Sequence, residues 1–335
     1  MKEMKIGRND AGQRLDKYLR KAVPALPPSL MQKYFRLKRI KLNGARTQGD
    51  VRLRAGDALQ LYINDEFFLP AAADDAWRRI VPRLSVLYED EHILLLDKRP
   101  GLVVHEDESQ GADTLINHVK AYLYSRGEWD PDAEQSFTPA LCNRIDRNTG
   151  GIVIAAKTAE ALRDMNEKIR LHEVRKTYLC LAHGVPSPRA GTLRHFLRRD
   201  TDKKQVAVFD RPKPGALTAE THYRVLETRE NISLVECTLV TGRTHQIRAQ
   251  MAHAGHPLVG DTKYGTVRLN EGLPFRFQAL YAYKVSFPFT APSPALLKVA
   301  GHAFEVEEVP FLDFFQKLPV SGASRKAEKN GGIRT

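Results

Sequence analysis

The chain has 335 residues, of which 42% are hydrophobic and 27% are charged, and its 52 lysines and arginines exceed its 40 acidic residues, so the formal net charge is +12. This balance excludes a mainly disordered protein, which lacks the apolar content to form a core. No stretch approaches the roughly 18 uncharged apolar residues of a membrane-spanning helix, which excludes an integral membrane protein. The isoelectric point near 9.6 indicates a polyanionic partner, and nucleic acid is the leading candidate.

The amino-terminal stretch is charged throughout and lacks the apolar segment of a signal peptide. The three cysteines, Cys142, Cys180 and Cys237, are too few and too scattered for a disulfide framework or a zinc site. We therefore expect a cytoplasmic protein with reduced thiols. Nothing in the sequence indicates an oligomer, so a monomer is the default expectation.

Residues 12–62 form the first predicted domain, a small α/β unit. Leu15, Leu19 and Val23 recur at the spacing of one helix face. A proline-rich turn follows, and Ser29 is expected to cap a second helix.

The second predicted helix and the strand after it carry dense positive charge. An Asn43-Gly44 pair next to this stretch is typical of a hairpin turn. No acidic residue interrupts the cluster, which favours RNA binding over the alternative of a solvated helix face. The residues expected to contact RNA are Arg36, Lys38, Arg39 and Lys41.

A linker is predicted over 63–83, where clear periodicity is lost, and a larger domain over 84–317. In the larger domain, predicted strands outnumber helices and many have hairpin spacing. This pattern predicts an α+β fold whose sheet is mixed and largely antiparallel. Asp113 and Thr158 are expected to begin two of its helices. The polar segment 318–335 is predicted to be a disordered tail.

The segment NRIDRNTGG places Arg144, Asp146 and Arg147 on a tight turn before an apolar strand. A carboxylate between guanidinium groups stays ionised, because nearby positive charge lowers its pKa. Such a group on a loop at a strand edge is suited to act as a nucleophile or base. The competing interpretation is structural, since Asp and Asn favour turns by bonding to the local backbone.

Arg248 follows Ile247 on the apolar side of a helix predicted at 244–255. An arginine there is costly to bury unless it pairs with an acid, so a buried carboxylate elsewhere is expected. His245 and His253 lie on one face of this helix, but no acidic or cysteine ligand is near them in the sequence, so we expect no metal site. The chain has no Gly-rich phosphate loop, so no cofactor is expected.

Four sequence blocks resemble the RluA family of RNA pseudouridine synthases, in the family's order: DKRPGLVVHED, NRIDRNTGG, KTYLCLAHG and TGRTHQIRAQMAHAGHPLVGDTKYG. The resemblance covers roughly residues 84–310. Residues 12–62 similarly resemble the alpha-L RNA-binding domain, which many members of this family carry at the amino terminus. The family breaks the bond from ribose to nitrogen 1 of uracil, rotates the base and rejoins it through carbon 5, without a metal or organic cofactor.

The resemblance implies a role for each of five residues. Asp146 matches the family's essential aspartate, and Arg144 matches the arginine that helps to displace the target base. Tyr178, which by itself indicates only a core tyrosine in a strand, matches the residue that stacks on the uracil. Arg248 matches the basic residue paired with the catalytic aspartate, and Ile247 matches the apolar residue that packs on the base.

Two positions depart from the family's commoner pattern. Asn143 stands where histidine is more usual, and Gly150 stands where serine is more usual. Neither position carries the chemistry in the family, so the departures bear on the subfamily and the RNA target more than on the activity.

The expected substrate is large-subunit ribosomal RNA, because the additional basic domain suits a structured target, and transfer RNA is the alternative. A non-catalytic RNA-binding protein would share the basic domain but has no reason to keep a buried pair of Asp146 and Arg248. A hydrolase with paired carboxylates would need Asp164 or Asp261 as its second acid, and neither lies in a motif that suggests this role.

Overall fold

The computed structural model describes residues 1–68, 76–105, 111–200 and 205–320. Most of the predicted tail at 318–335 and the middle of the predicted linker at 63–83 lie outside the described residues.

The chain divides into two compact units. Unit 1 comprises Met1–Arg147, Gly151–Val174 and Ser286–Phe304. Unit 2 comprises Asn148–Gly150, Arg175–Val285 and Glu305–Thr335.

Unit 1 begins with a small α/β region in which two helices pack on a four-stranded sheet. Its elements are β1 (Lys2–Lys5), α1 (Leu15–Ala22), α2 (Pro28–Arg36), β2 (Ile40–Leu42), β3 (Ala45–Arg46) and β4 (Ala58–Leu61). The strand order is β1-β4-β2-β3, and every pairing is antiparallel. The predicted helix periodicity is confirmed, because Leu15, Leu19 and Val23 are fully buried in the core of this region.

Two local predictions in this region have different outcomes. The hairpin turn is confirmed, since Asn43 and Gly44 both have positive φ, at 53° and 77°, between β2 and β3. The predicted cap of α2 is wrong, because the helix begins at Pro28 and Pro27 is its N-cap residue, which leaves Ser29 inside the first turn. Proline is suited to this first turn because its fixed φ is helical and it has no N–H to satisfy.

The rest of unit 1 combines an antiparallel sheet with two longer helices. Its elements are β5 (Val86–Glu89), β6 (Ile93–Lys98), α3 (Leu115–Ser125), β7 (Ala140–Leu141), β8 (Gly150–Ala156) and α4 (Ala159–Arg170), with short 3-10 helices at Asp65–Phe68, Ala76–Arg79 and Pro294–Leu296. β6 pairs antiparallel with both β5 and β8, and β8 also pairs with β7. All seven residues of β8 are buried, which explains its uninterrupted run of apolar and small residues.

The starts of α3 and α4 test the two predicted caps. Thr158 is confirmed as the cap of α4, where its hydroxyl accepts a hydrogen bond from the backbone N–H of Ala161. The predicted cap of α3 is wrong, because Thr114 caps the helix instead, and its hydroxyl accepts from the N–H of Asn117. Asp113 pairs with Nε2 of the His118 side chain at 2.8 Å.

Unit 2 is dominated by long strands. Its elements are β9 (Arg175–His183), β10 (Ala190–Asp200), β11 (Gln205–Phe209), β12 (Leu217–Arg229), β13 (Ile232–Leu239), α5 (Gln246–His253), α6 (Val267–Asn270), β14 (Leu280–Ser286) and α7 (Leu312–Lys317), while β15 (Ala303–Glu305) straddles the unit boundary. The strand order within the unit is β11-β10-β12-β13-β9-β14. The four pairings among β9 to β13 are antiparallel.

These strands and helices confirm the predicted α+β class with a largely antiparallel sheet. The apolar side chains collect in separate cores, one in the amino-terminal region of unit 1 and another along β9, β13 and α7 of unit 2. Among the described residues, no helix is both long enough and apolar enough to cross a membrane.

The cap of α3 gives a stability prediction. We expect Thr114→Ala to lower the free energy of unfolding by about 1 kcal/mol, because the N–H of Asn117 loses the capping hydroxyl and keeps only the Thr114 carbonyl, at 3.1 Å, as an acceptor. Thr114→Ser, which keeps the hydroxyl, should recover most of this loss. Urea denaturation of both variants measures the difference, and equal destabilisation by serine and alanine would contradict a capping role.

Candidate active site

A buried lysine anchors the loop that carries Asp146. Lys98, the last residue of β6, is 1% exposed. Its Nζ donates hydrogen bonds to the carbonyl oxygens of Arg99 at 3.0 Å, Leu102 at 2.8 Å and Arg147 at 2.9 Å. An ammonium group has three N–H donors, so these three acceptors match its full capacity. Lys98 therefore joins the turn after β6 to the residue that follows Asp146.

Two further contacts hold the ends of this loop. The N–H of Gly101 donates to the carbonyl of Arg147 at 2.9 Å, and the Arg147 guanidinium donates back to the Gly101 carbonyl at 3.2 Å. On the other side, the Asn143 side chain accepts from the N–H of Ile154 at 2.8 Å, as a strand residue would. The backbone on both sides of Asp146 is thus tied to strand β8 and to the turn after β6.

The charges around this loop are mainly positive. Asp146 is half-buried and Arg144 is exposed. Burial lowers the pKa of Lys98 to about 7, although the nearby carboxylates of Asp146 and Asp97 oppose that shift. Burial also lowers the pKa of His105, and the positive charge of Arg144 lowers it further. Lys98 thus interacts electrostatically with the carboxylates of Asp146 and Asp97, which favour its charged form.

The other three predicted site residues lie in unit 2 and are all buried. Tyr178 is on β9, where it pairs in register with Cys237 of β13 and is 6% exposed. Ile247 and Arg248 are neighbours on α5 and are 3% and 7% exposed. The stacking of Tyr178 on uracil and the pairing of Arg248 with Asp146 stay predictions.

The buried acid expected for Arg248 is present, and Asp261 is such a partner. Nε of Arg248 donates to Oδ2 of Asp261 at 2.7 Å, and a terminal nitrogen donates to Oδ1 at 3.0 Å. This two-point geometry fixes the plane of the guanidinium, which also lies over the ring of Tyr264 at 5.3 Å. Burial acts to raise the pKa of Asp261, but Arg248 and the backbone N–H groups of Lys263 and Tyr264 outweigh it, so the pKa is lowered.

Two glutamines complete the burial of α5. Gln246 accepts from the N–H of Arg243 at 2.9 Å and donates to the carbonyl of Glu220 at 3.0 Å. Gln250 donates to the carbonyl of Leu193 at 3.0 Å and accepts from the hydroxyl of Thr221 at 2.7 Å. Because both amides are satisfied, the helix can be buried along residues 246–251 at little cost.

Packing against Tyr281 explains why position 150 is a glycine in this chain. The ring of Tyr281 occupies the space where a Cβ at position 150 would lie, with Cδ2 at 2.9 Å and Cε2 nearer still. A serine at this position would therefore displace a buried tyrosine. The glycine that replaces the family's commoner serine thus leaves room for the ring of Tyr281.

The histidines of the predicted helix do not form one cluster. Nδ1 of His245 is 2.8 Å from the hydroxyl of Tyr264, whereas His253 pairs with Asp210 at 2.8 Å. His195 also lies near this pair, so one ligand atom from each of the three residues falls within 4.8 Å of the others. Nδ1 of His195 lies 3.1 Å from the amide nitrogen of Gln250, and its Nε2 lies 3.8 Å from a carboxylate oxygen of Asp210. The structure thus places an acidic residue beside His253 that is distant from it in the sequence.

The four residues expected to contact RNA lie at the end of α2 and along β2. Arg36, Lys38 and Arg39 are exposed, and Lys38 has a positive φ of 59° that ends the helix. Arg39 lies over the ring of Tyr34, and Lys41 lies over the ring of Tyr62. The side chains are available to an anion, but their contact with RNA stays a prediction.

Sequence reasoning missed Lys98, Asp261 and the two glutamines of α5. Three of them had a signal. The QIRAQ segment has polar residues on every face of a helix, which is unusual unless each is paired, and the acid expected for Arg248 had no assigned position. Lys98 lies in the first of the four blocks that carry the family resemblance, but a lysine beside Arg99 and Pro100 gives no sign of burial.

Comparisons with known proteins identify RNA pseudouridine synthases as relatives of this chain. A family profile described as RNA pseudouridylate synthase matches residues 92–253. An uncharacterized RNA pseudouridine synthase of Mycoplasma genitalium is 30% identical over 315 residues, which cover 92% of this chain and 97% of that protein. Ribosomal large subunit pseudouridine synthase C of Escherichia coli is 30% identical over 310 residues, covering 87% of this chain and 89% of the relative.

A solved structure supports the same fold. The human protein RNA Pseudouridylate Synthase Domain Containing 4 superposes with a TM-score of 0.53 at 22% identity, covering 68% of this chain and 89% of that one.

The anchor of the Asp146 loop gives a second prediction. We expect Lys98→Met to lower the free energy of unfolding by about 1–3 kcal/mol, because three carbonyl oxygens lose a donor in a buried site. Urea denaturation measures the change, with Lys213→Met as a control for the loss of an exposed lysine. Equal stability of the two variants would show that Lys98 does not anchor the loop.

The buried ion pair gives a third prediction, which depends on pH. Asp261→Asn should lower the free energy of unfolding at pH 7 by about 3 kcal/mol, since Arg248 keeps a buried charge without its anion. The folded state lowers the pKa of Asp261, so its stabilisation is present above the ordinary aspartate pKa of about 4. It is lost as the pH falls through the lower, folded value.

Denaturation of wild type and Asp261→Asn at several pH values tests this expectation. The stability difference should shrink as the solution is acidified below about pH 4. Asp313→Asn, at an exposed aspartate of α7, is the matched control and should show little difference at any pH. A stability difference between wild type and Asp261→Asn that does not vary with pH would contradict the ion pair between Asp261 and Arg248.

Proposed function

The chain belongs to the family of RNA pseudouridine synthases, and on that basis we propose that it converts specific uridines of large-subunit ribosomal RNA to pseudouridine. Relatives that are about 30% identical over most of the chain are named ribosomal large subunit pseudouridine synthases C and D. The observation that carries the proposal is the anchored loop around Asp146, in the segment that matches the family's catalytic motif. It presents one half-buried carboxylate in a positive environment.

In this proposal Asp146 is the catalytic carboxylate. It lies in the loop anchored by Lys98 and is flanked in sequence by Arg144 and Arg147, and a carboxylate so placed is proposed to act as the nucleophile or base. Arg144 is exposed and is proposed to contact the RNA as the target base leaves the stack. Extruding a base costs a few kcal/mol, which phosphate contacts by basic residues can offset.

The buried residues of unit 2 are proposed to receive the extruded base. Tyr178 supplies an aromatic face, and base stacking of this kind contributes about 1–3 kcal/mol. Ile247 supplies an apolar surface. Arg248 is proposed to pair with Asp146, and its bonds to Asp261 favour this role because they hold the guanidinium in one orientation. No step of the isomerisation needs an electron acceptor, since the reaction is redox-neutral.

The amino-terminal region is proposed to be a separate RNA-binding domain over 12–62, with Arg36, Lys38, Arg39 and Lys41 on its contact face. The strand β1, at Lys2–Lys5, adds to its sheet. We propose that the chain works as a cytoplasmic monomer. Transfer RNA is the alternative substrate, and an assay with both RNA classes separates the two.

The assignment of Asp146 is tested by tritium release. RNA that carries tritium at carbon 5 of uridine loses it to water when the base is rejoined through that carbon. We expect wild type to release tritium from ribosomal RNA, and Asp146→Asn to be slower by at least roughly 10²–10⁴-fold, since it removes the reacting carboxylate. The RNA affinity of the variant should stay within a few-fold of wild type.

Asp164→Asn is the matched control, because Asp164 is a half-buried aspartate on α4 and the second acid that a hydrolase would need. It should keep wild-type activity. Appreciable turnover by Asp146→Asn would overturn the assignment of Asp146. Release of free uracil in place of pseudouridine would instead favour the hydrolase, and RNA binding without any turnover would favour a non-catalytic protein.

A further inference from the structure

A basic groove lies between α1 and α4 of unit 1, and the residues predicted to contact RNA at 36–41 do not line it. Its volume is about 250 Å³. Five of the residues that line it are basic, and none is acidic. The five are Arg14, Lys17, Lys21, Arg52 and Arg163. A concentration of one charge in a concave surface attracts a polyanion more strongly than the same residues spread over a flat face.

The charge of this groove is only partly neutralised by the protein itself. Arg14 pairs with Asp16 at 2.8 Å. Among the described residues, Lys17, Lys21 and Arg163 have no ion-pair partner. Lys17 and Lys21 are four positions apart on α1 and therefore lie on the same helix face, where like charges repel. An anion bound between them would relieve this repulsion.

Two arginines of the groove, Arg52 and Arg163, lie against Gly12. Arg52 donates to the carbonyl of Gly12 at 2.7 Å. The guanidinium of Arg163, from α4, packs against Gly12, where a Cβ would lie 3.0 Å from its terminal nitrogen. Gly12 also has a positive φ of 77°, so a side chain at this position would be strained as well as crowded.

Contacts distant in sequence join the α1 side of the groove to residues 134–136, and the backbone N–H of Ala159, at the start of α4, donates to the Asn9 side chain at 3.3 Å. The hydroxyl of Tyr18 on α1 donates to the side chain of Gln135, which lies 117 positions away. Gln13 donates to the hydroxyl of Ser136 at 2.8 Å, and Asn9 donates to a carboxylate oxygen of Glu134 at 2.6 Å. The backbone segments that carry the basic residues are therefore positioned before a ligand arrives, which lowers part of the entropic cost of binding.

We propose that this groove binds the phosphodiester backbone of the RNA substrate, as a contact additional to the Arg36–Lys41 stretch. Guanidinium and ammonium groups match phosphate oxygens, and guanidinium groups can bind them at two points. Phe137 and Leu162 form an apolar part of the lining, against which a ribose or base can pack. The inference rests on the proposed function for the identity of the polyanion, and it locates where that RNA continues beyond the reacting uridine.

The experiment compares two triple variants that lose the same charge. The groove variant is Lys17→Ala, Lys21→Ala and Arg163→Ala, at three exposed side chains. The control variant is Lys5→Ala, Arg20→Ala and Arg268→Ala, which removes three exposed basic residues that do not line the groove. Affinity for a transcript of large-subunit ribosomal RNA is measured over a range of salt concentrations, and thermal unfolding confirms that both variants are folded.

We expect the groove variant to bind at least about tenfold more weakly than wild type at low salt. The slope of log affinity against log salt should become shallower by about 2–3, since each lost phosphate contact contributes about 0.7–0.9. The control variant should stay close to wild type. A groove variant that matches the control in affinity and slope would overturn the inference. If the triple variant unfolds, the affinity and salt dependence of a single Lys17→Glu variant are compared with those of wild type instead.

Single-turnover tritium release separates this inference from the proposed activity. With enzyme in excess and saturating, the groove variant should release tritium at the wild-type rate, because its residues bind RNA without touching the reacting base. If wild type releases no tritium but the groove variant still loses affinity and slope, the groove stands and the proposed activity fails. If wild type is active and the groove variant binds normally, the activity stands and the groove fails.

Discussion

The buried ion pair between Arg248 and Asp261 is the constraint on which the site-bearing part of unit 2 depends. Removing two charges from water costs several kcal/mol for each ion, so the pair is stable only if its hydrogen bonds are complete. Asp261 meets this condition with two bonds from Arg248 and two from the backbone N–H groups of Lys263 and Tyr264. The helix that carries Ile247 and the turn that carries Asp261 are thereby locked together, as two parts of one continuous sequence motif.

Features of the fold that depend on neighbouring residues were predictable from the sequence. The Asn43-Gly44 turn and the buried strand at Gly150–Ala156 follow from local backbone preference and from hydrophobic pattern. Helix starts were less certain, because several residues in a row can cap, and Thr114 rather than Asp113 does so. The packing of Tyr18 against Gln135 had no sequence signal, since polar contacts over such a separation leave no periodic pattern.

In the candidate site, too, some features could be predicted from the sequence and others could not. That Arg248 needs a buried acid could be predicted, because an unpaired buried charge is too costly to persist. Which acid it binds could not, since Asp261 lies in a glycine-rich turn whose course only the folded chain defines. Lys98 was missed altogether, because exposure is a property of the fold, and lysine is one of the residue types least often buried.

Because Lys98 is buried, the reactivity of its amine reports local opening of the Asp146 loop. A reagent that acylates lysines needs a solvent-exposed, unprotonated amine, and the Nζ of Lys98 is enclosed by three carbonyl oxygens. Its modification therefore requires the turn after β6 and the Asp146 loop to separate for a moment. The rate of labelling at this one lysine, read by mass spectrometry, would measure how often that local opening occurs in the folded protein.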